Sequence, residues 1–345
     1  MPDLPRKLAA LTTGWLTEAL RASNAIATAE VTAFEATQIG TFSSELWRIH
    51  LQYDQLEPGA PQSLVAKRPR EDPRIRVGAG FATEIDFYQD IAPQLEMRLP
   101  RMYYGQYDEA TGDALLLLEY VEGIVPVRFL DGVTAAHSAR AIDALATMHA
   151  RWWGEVDDLA TLAHLADESF RTSVGEAYDR GWRASREFFE VTHDPAFVAV
   201  GDALVGRAAA NIAPLGAPAT LLHGDAHFEN LPMVEGNAKH DIFFHDWAAV
   251  RRGHAAFDVA VFSVQSYPTD SRRRNERQLV QTHAQAVRAT GIDWNDPWED
   301  YRRGVLYWMI HMLEDAELRP GAKPWIVIDR YVAAAVDLDV GDLIV

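Results

Sequence analysis

The spacing of apolar residues predicts one helix, a series of strands and a second helix in the first third of the chain. Apolar side chains between residues 4 and 22 recur every three or four positions, which is the period of an amphipathic helix. The same period returns over residues 80–95. Alternating or short apolar runs bounded by glycine and proline predict strands. The predicted strands cover residues 31–38, 45–53, 63–67, 102–107 and 114–119.

The pattern changes after residues 119–123. From about residue 132 the helical period dominates, interrupted by the apolar runs 219–222 and 242–245, which we predict to be neighbouring strands. Consecutive strands joined by short turns favour an antiparallel sheet. The sequence therefore predicts an α+β, bilobal fold. Residues 1–120 would form an antiparallel-sheet lobe that includes the first helix, and residues 121–345 a mainly helical lobe.

Composition narrows the possible functions. The chain has 345 residues, of which 48% are hydrophobic and 24% charged, as in ordinary globular proteins. It contains no cysteine, which excludes disulfides and thiolate metal sites. The net charge of -18 argues against binding to nucleic acid or an anionic membrane. With no apolar run of membrane-spanning length and no export signal at the start, we expect a cytoplasmic location; the oligomeric state is not predicted.

The run HGDAHFEN, residues 223–230, is the strongest chemical signal in the sequence. Asp225 lies five residues before Asn230, in a loop that follows the first of the two predicted strands. A second acid, Asp246, follows the other strand. Asp225 can accept the proton of a substrate hydroxyl, while Asn230 and Asp246 supply the oxygen ligands that Mg²⁺ prefers. Phosphoryl transfer requires this combination of groups.

Residues upstream can complete a nucleotide site. Lys67 ends a short strand, and Glu84 follows 17 residues later in the next predicted helix. A strand lysine held by a helix glutamate grips nucleotide phosphates. Taken alone, however, a lysine at a strand end is more often simply solvated. Gly40, Ser43 and Ser44 link two strands and could contact phosphates, or form an ordinary hairpin turn.

Three further residues have both a structural and a functional interpretation. Backbone groups of Glu119 and Val121 could bind the edge of adenine, or belong to a core strand and its connector. We interpret Asp258, at the start of an apolar helical run, as a buried acid that accepts hydrogen bonds from the backbone of the 223–230 loop. An N-cap is the plainer interpretation of Asp258.

The histidines of the loop allow a different enzyme class. His223, Asp225 and His227 alternate, so on an extended segment they would share one face and could bind Zn²⁺ or Fe²⁺. A metal-dependent hydrolase or oxygenase would follow. That hypothesis leaves Asn230 and Lys67 without a role. A nucleotide-binding pseudokinase, with the fold but without the chemistry, is the third possibility.

Taken together, these motifs resemble the aminoglycoside phosphotransferase and choline kinase group of small-molecule kinases, and within it the ecdysteroid-kinase-like branch most. The motifs that carry the resemblance are HGDAHFEN, HDW at 245–247, GHAAFDVA at 253–260, LATMHA at 145–150, Lys67 and Glu84.

The resemblance implies a protein-kinase-like fold, ATP and Mg²⁺ as cofactors, and a small-molecule alcohol as the acceptor. It makes Asp225 the catalytic base and His223 a structural support, and it gives His227 no chemistry. Two features depart from the better-known kinases. The nucleotide loop has a single glycine, Gly40, and Trp247-Ala248 follows the metal acid in place of Phe-Gly.

The acceptor is not identified by the sequence. Aromatic and acidic residues concentrate between Trp294 and Asp315. Aromatic faces with carboxylates suit a cation, and they also suit a flat apolar alcohol. The helical spacing of Tyr307, Trp308 and His311 favours a helix core over either kind of substrate contact. An aminoglycoside-, choline- or steroid-like acceptor is therefore compatible with the sequence.

Overall fold

The computed structural model describes residues 2–41, 44–70, 78–235, 241–314 and 323–345. The chain divides into two compact units. The first unit comprises Met1–Ile124 and Val234–Ala249, and the second comprises Val125–Met233 and Val250–Val345. Each unit is described separately below.

The N-terminal helix is shorter than predicted. A 3-10 turn at Leu8–Ala10 precedes α1, Thr13–Ala22, so the prediction of one helix over 4–22 is wrong. Thr12 separates the two because its backbone is extended and its hydroxyl accepts the backbone N–H of Trp15. An N-cap of this kind starts a new helix. Helix α1 then buries its apolar face in the core of the first unit.

The predicted five-stranded antiparallel sheet is confirmed. Its strands follow in the order β1-β2-β3-β5-β4, and every neighbouring pair is antiparallel. The strands are β1 Val31–Thr41, β2 Ser44–Tyr53, β3 Ser63–Pro69, β4 Met102–Asp108 and β5 Asp113–Glu119. In the register of the sheet Lys67 on β3 lies between Leu46 on β2 and Leu116 on β5, so a central strand carries the lysine.

The second predicted helix is a composite. Helix α2, Gly78–Asp86, continues as a π-helical turn at Phe87–Ile91 and a 3-10 turn at Ala92–Gln94. Pro93 lies within the last turn, where its missing N–H breaks no helical hydrogen bond. The helical period buries Glu84 together with Phe81, Ile85 and Tyr88 on one face.

The second unit is mainly helical. Helix α7 runs through its centre, and every one of its residues is buried. Two short strands, β6 Thr220–Leu222 and β7 Arg251–Gly253, form an antiparallel pair. The helices are α3 Ala135–Arg151, α4 Glu168–Thr192, α5 Pro195–Leu204, α6 Ala208–Ile212, α7 Ala256–Ser266, α8 Thr269–Arg288, α9 Pro297–Met312 and α10 Lys323–Asp337.

The strand pairing around the 223–230 loop differs from the prediction. The run 242–245 does not pair with 219–222; β6 pairs with β7, with Thr220 opposite Gly253. Residues 242–245 belong to the first unit, where Phe243 bridges Arg98 and the backbone N–H of Phe244 donates to the carbonyl of Arg98 at 2.9 Å. Apolar runs predict that strands exist, but they do not specify which strands pair.

The division of the chain also differs from the one expected. The sequence placed the boundary at residue 120 and assigned everything beyond it to the helical lobe. The first unit extends to Ile124 and also contains residues 234–249. A return of the chain to an earlier unit leaves no trace in local periodicity. As a result, the segment that carries Asp246 is part of the unit that carries Lys67.

No single helix in the described ranges is long and apolar enough to cross a membrane. Two consecutive helical segments, Pro195–Leu204 and Ala208–Gly216, together have the length and apolar composition of a membrane span, but a 98° bend separates them.

Helices α7 and α9 approach closely at a glycine. A Cβ atom placed on Gly304 would lie 2.6 Å from the carbonyl oxygen of Ala256 and 2.9 Å from the Cβ of Ala260. Both distances are well inside van der Waals contact, and one of the two atoms belongs to the backbone. Gly304 therefore sets the distance between α9 and the helix that carries Asp258.

We predict that Gly304→Ala destabilises the protein by about 1–3 kcal/mol, the usual effect of overpacking a core, because α7 and α9 must separate. The shift of the urea unfolding midpoint measures the effect. Gly14→Ala is the matched control, since Gly14 is also helical and has no atom within 4 Å of its added Cβ. That control should stabilise by roughly 0.5–1 kcal/mol. Equal midpoints for Gly304→Ala and the native protein would contradict the close approach.

Candidate active site

Lys67, Glu84 and Asp246 form an ion cluster in the first unit. The Lys67 ammonium lies 2.6 Å from Glu84 Oε2 and 2.6 Å from Asp246 Oδ1. Lys67 and Glu84 are buried, whereas 37% of the Asp246 side chain is exposed. The Lys67 ammonium is thus shared by two carboxylates, that of Glu84 in the core and that of Asp246, which also faces solvent.

The electrostatics of this cluster keep Lys67 charged. Burial by itself would lower the pKa of Lys67, but the carboxylates of Glu84 and Asp246 outweigh burial and raise it. Burial raises the pKa of Glu84, and Lys67 offsets part of that rise. The ammonium contacts both acids at hydrogen-bond distance, so the ion pair is formed.

The backbone around Asp246 is specialised. Asp246 has a φ of 62°, a left-handed conformation that costs a non-glycine residue roughly 1–3 kcal/mol and often occurs at functional sites. The next residue, Trp247, is fully buried and stacks on Phe87 at 3.9 Å between ring centroids. The Trp247 anchor holds the strained turn in place, and the turn directs the Asp246 carboxylate to Lys67.

A cavity of about 220 Å³ in the first unit has this cluster at one end. Its other walls are mainly apolar, which suits a flat aromatic group. Ser44 lines this cavity, Gly40 is not among its lining residues, and Ser43 lies outside the described residues. The apolar wall is formed by Ile39, Leu46, Val65, Pro100, Leu118, Val121, Ile124 and Phe243.

Glu119 and Val121 play different parts in this cavity. The Glu119 carboxylate is bound by the Arg98 guanidinium at 2.6 and 3.1 Å, and the Glu119 N–H donates to the carbonyl of Arg101. Val121 also lines the cavity, and within the part of the chain that the structure describes its backbone N–H and carbonyl have no hydrogen-bond partner. Val121 therefore offers the cavity a backbone donor and acceptor.

The HGDAHFEN loop lies in the second unit and begins where β6 ends. Its backbone is held by Asp258 on α7, as the sequence analysis expected of this acid. The backbone N–H of His223 donates to Asp258 Oδ2 at 2.7 Å, and that of Gly224 donates to Oδ1 at 3.0 Å. Gly224 has a φ of 86°, which only glycine adopts readily. This fixed turn therefore sets the direction of the Asp225 side chain.

Asp225 and Asn230 are joined directly. The Asn230 amide nitrogen donates to the Asp225 carbonyl at 2.9 Å and to its carboxylate Oδ2 at 3.1 Å. The carbonyl oxygen of the Asn230 side chain takes no part in these two bonds. Asn230 is buried, whereas 38% of the Asp225 side chain is exposed. The loop therefore positions a solvent-facing carboxylate beside an amide that retains an oxygen for another ligand.

The loop histidines do not form the metal site that their alternation allowed. His223 is fully buried, and its Nδ1 accepts the backbone N–H of Asp225 at 3.3 Å. His227 Nδ1 accepts the backbone N–H of Glu229 at 3.3 Å. Both rings thus use a nitrogen to hold the turn of the loop. Across the described ranges no group of three histidine or acidic side chains could hold a metal ion.

The aromatic region near the C-terminus is core. Trp294, Tyr301, Tyr307 and Trp308 are all at most 3% exposed, and Asp300 accepts the indole N–H of Trp294 at 2.7 Å. The helix-core interpretation therefore applies to Tyr307 and Trp308, which lie on α9 with Tyr301, and Trp294 is buried just before that helix. Asp315 lies outside the described residues.

A second layer beneath the loop was missed by sequence reasoning. The imidazole of His149 on α3 contacts Asp258 at 3.1 Å and His283 on α8 at 2.9 Å. The sequence marked His149 only as part of a helix that matched a family. It gave no signal for His283, since the two histidines are 134 positions apart.

Comparison with known proteins assigns the family. The model of the ecdysteroid kinase-like family matches residues 38–291, well over half of the sequence. The chain belongs to the ecdysteroid kinase-like family. No curated protein sequence matches it significantly.

Solved structures of this family's fold are similar over nearly their whole length. Aminoglycoside 2'-phosphotransferase-IIIa in complex with GDP has a TM-score of 0.56 and 13% identity, covering 95% of this chain and 99% of its own. A gentamicin complex of APH(2'')-IIa has a TM-score of 0.55 and 12% identity, with both chains fully covered. A choline/ethanolamine kinase family protein from Mesorhizobium loti has a TM-score of 0.52 and 14% identity, covering 89% of this chain and 88% of its own. At these identities the likeness establishes the protein-kinase-like fold.

We predict that Lys67→Met makes stability depend on pH in a defined direction. Without the ammonium, burial raises the pKa of Glu84 further above its ordinary 4.5, so the folded chain binds a proton that the unfolded chain releases. A group that binds more protons when folded loses stability as pH rises. The free energy of unfolding should therefore fall between about pH 5 and about pH 8.

The control for this prediction is the double variant Lys67→Met with Glu84→Gln, which has no carboxylate to titrate at position 84. Urea unfolding at the two pH values compares the variants. The same pH dependence in both would show that Glu84 is not the group that responds to loss of Lys67.

Proposed function

We propose that this protein is an ATP- and Mg²⁺-dependent phosphotransferase that moves the γ-phosphoryl group to a hydroxyl of a small molecule. The observation that carries the proposal is the Lys67 ammonium, ion-paired to both Glu84 and Asp246 at 2.6 Å, at one end of a mainly apolar cavity. A fixed cation beside a flat apolar pocket suits a nucleotide, whose base and phosphates need these two environments.

The first unit would bind the nucleotide. The Lys67 ammonium contacts phosphate oxygens, and Glu84 holds the lysine side chain in an extended position. The Val121 backbone groups offer a donor and an acceptor to the edge of adenine. Gly40, Ser43, Ser44 and the Glu119 backbone stay proposed nucleotide contacts. GDP and ADP complexes among the structural relatives agree with nucleotide use.

The donor set fits Mg²⁺. The exposed carboxylate of Asp246 and the side-chain oxygen of Asn230 are hard oxygen ligands, and the chain has no cysteine to favour a softer metal. Bound Mg²⁺ would neutralise charge on the β- and γ-phosphates. The left-handed turn at Asp246 directs its carboxylate, while the hydrogen bonds from Asn230 to Asp225 orient the amide.

Asp225 would act as the catalytic base. Its carboxylate accepts the proton of the acceptor hydroxyl as the acceptor oxygen bonds to the γ-phosphorus, and the bond from that phosphorus to the bridging oxygen of ADP breaks. General-base assistance is typically worth about 10²–10⁴-fold in rate. Asp258 and His223 support this step by fixing the backbone on either side of Gly224.

Two competing functions have less support. A metal hydrolase would need the loop histidines as ligands, but the Nδ1 of each accepts a backbone N–H, and no group of three metal-binding side chains occurs among the described residues. A pseudokinase would be expected to have lost at least one reactive group, whereas Lys67, Asp225, Asn230 and Asp246 are all present. The cytoplasmic location, and the lack of nucleic-acid and membrane partners, stay predictions from composition.

The acceptor class is proposed as an aminoglycoside-, choline- or steroid-like alcohol. A panel of such alcohols, scored for acceptor-dependent release of ADP from Mg·ATP and confirmed by phosphorus NMR of the product, tests the function. Phosphorylation of one class of alcohol supports the proposal. A protein that binds no nucleotide in calorimetry would refute it.

We predict that Asp225→Asn lowers kcat by about 10²–10⁴-fold, the contribution of a general base, because an amide cannot accept the hydroxyl proton. ATP affinity measured by calorimetry should stay within about twofold, since the nucleotide site is proposed in the first unit. Glu229→Gln is the matched control, an exposed acid neutralised in the same loop. Wild-type turnover in Asp225→Asn would remove Asp225 from the mechanism.

We predict that Asp246→Asn weakens binding of Mg·ADP at least about tenfold, because a neutral amide is a poorer ligand for Mg²⁺ than a carboxylate. Titration calorimetry with excess Mg²⁺ measures the effect. The same titration with EDTA is the control, and there the variant and the native protein should differ much less. An equal loss of affinity with and without Mg²⁺ would assign Asp246 to the Lys67 cluster alone.

A further inference from the structure

Three buried histidines lie in a layer beneath the HGDAHFEN loop of the second unit. His149 on α3, His283 on α8 and His254, just before α7, are each at most 2% exposed. The His149 imidazole joins two of the groups in this layer. Its Nε2 lies 3.1 Å from Asp258 Oδ2, and its Nδ1 lies 2.9 Å from His283 Nε2.

The hydrogen bonds of Asp258 determine where the proton of His149 lies. Asp258 is fully buried and already accepts backbone N–H groups from His223 and Gly224. A carboxylate in this role is an acceptor only. The Nε2 of His149 must therefore donate to Asp258, and in a neutral ring its Nδ1 is then an acceptor.

His283 supplies the matching donor. Burial lowers the pKa of His283 well below its ordinary value, so its ring is neutral with a single N–H. His283 Nδ1 is buried and has no partner within the described ranges. An N–H at Nδ1 would be an orphaned donor, which is rarer in proteins than an orphaned acceptor. The single N–H therefore lies on Nε2 and donates to His149.

We propose that His283 is a positioning residue for the HGDAHFEN loop: its Nε2–H satisfies the Nδ1 of His149 and so stabilises the tautomer that donates to Asp258, and Asp258 holds the backbone of His223 and Gly224 beside Asp225. As a statement about catalysis, this rests on the phosphotransferase function proposed above. As a statement about proton positions, it stands independently of the activity.

Loss of the His283 donor would reach the loop through His149. Without that N–H, the Nδ1 of His149 is a buried acceptor that has lost its partner. The tautomer that protonates Nδ1 and turns an unprotonated Nε2 toward the Asp258 carboxylate therefore gains in population. Two acceptors at 3.1 Å repel each other, so Asp258 would shift from its two backbone donors. The backbone of His223 and Gly224 would then move, and Asp225 would no longer be held in position. kcat would therefore change, and the proposed nucleotide site in the first unit would not.

A role as core filling alone has to be separated from this one. His283 packs edge-on against Trp294, with 5.5 Å between ring centroids, and any side chain of similar size would preserve that contact. His283→Met keeps an unbranched side chain of comparable volume and removes the donor. His283→Gln keeps a donor at a similar reach. Comparison of the two variants therefore distinguishes an effect of side-chain volume from an effect of the lost hydrogen bond.

The first experiment reads the proton positions directly. Native protein labelled with ¹⁵N-histidine is examined by ring ¹⁵N shifts and by a through-hydrogen-bond ¹⁵N–¹⁵N correlation. We expect Nε2–H tautomers for both rings and a correlation from the His283 Nε2–H to the His149 Nδ1, with His283 assigned by its absence in His283→Gln. A proton found on His149 Nδ1 would overturn the proposal.

The second experiment reads the consequence. We expect His283→Met to lower kcat about five- to tenfold, comparable to one hydrogen bond, with the KM for ATP unchanged, and His283→Gln to stay within about twofold of native. Equal kcat losses in both variants would assign His283 a filling role and overturn the proposal. If His283→Met fails to fold, the tautomer measurement on native protein decides. If native protein shows no turnover, the proposed function fails, and the same measurement still tests the hydrogen-bond relay.

Discussion

A buried carboxylate must be matched by donors, and the organisation of each unit follows from one such group. Asp258 is fully buried in the second unit and receives two backbone N–H groups and an imidazole. An unmatched charge at this depth would cost several kcal/mol. The matched one fixes the backbone turn after β6, and that turn determines where Asp225 lies. In the first unit, buried Glu84 is matched by Lys67, whose ammonium in turn holds Asp246.

Both units have a residue with left-handed backbone close to the proposed chemistry. Asp246 adopts a left-handed backbone although it is not glycine, and Trp247, stacked on Phe87, anchors the turn. At Gly224 the same left-handed region is adopted without strain. The groups proposed to react are the accessible ones, since more than a third of the Asp225 and Asp246 side chains is exposed while their supports are buried. Pre-organised supports with exposed reactive groups suit catalysis by positioning and electrostatics.

The aromatic residues of the C-terminal helices show how composition can mislead about substrate. Trp294, Tyr307 and Trp308 are interleaved with acids, a composition that also suits a cation site. In the fold they are buried at the packing surfaces of α7, α8 and α9, where Phe257 lies between Tyr307 and Trp308 at 4.8 Å from each ring. These three rings are therefore part of the core and do not indicate a class of acceptor.

The sequence by itself determined the strands of the sheet and the helical second half, because periodicity is a local property. The motif HGDAHFEN and the later acid nominated Asp225, Asn230 and Asp246 as candidate reactive groups. Periodicity misjudged features that depend on distant partners. The strand partner of Thr220–Leu222 is Arg251–Gly253, the segment of Asp246 packs with the first unit, and Thr12 divides the first helix. Only the tertiary structure decided that Lys67 is shared between two acids, and that His283 meets His149 across 134 positions. Hydrogen bonds and ion pairs between such positions arise from packing, which leaves no period along the chain.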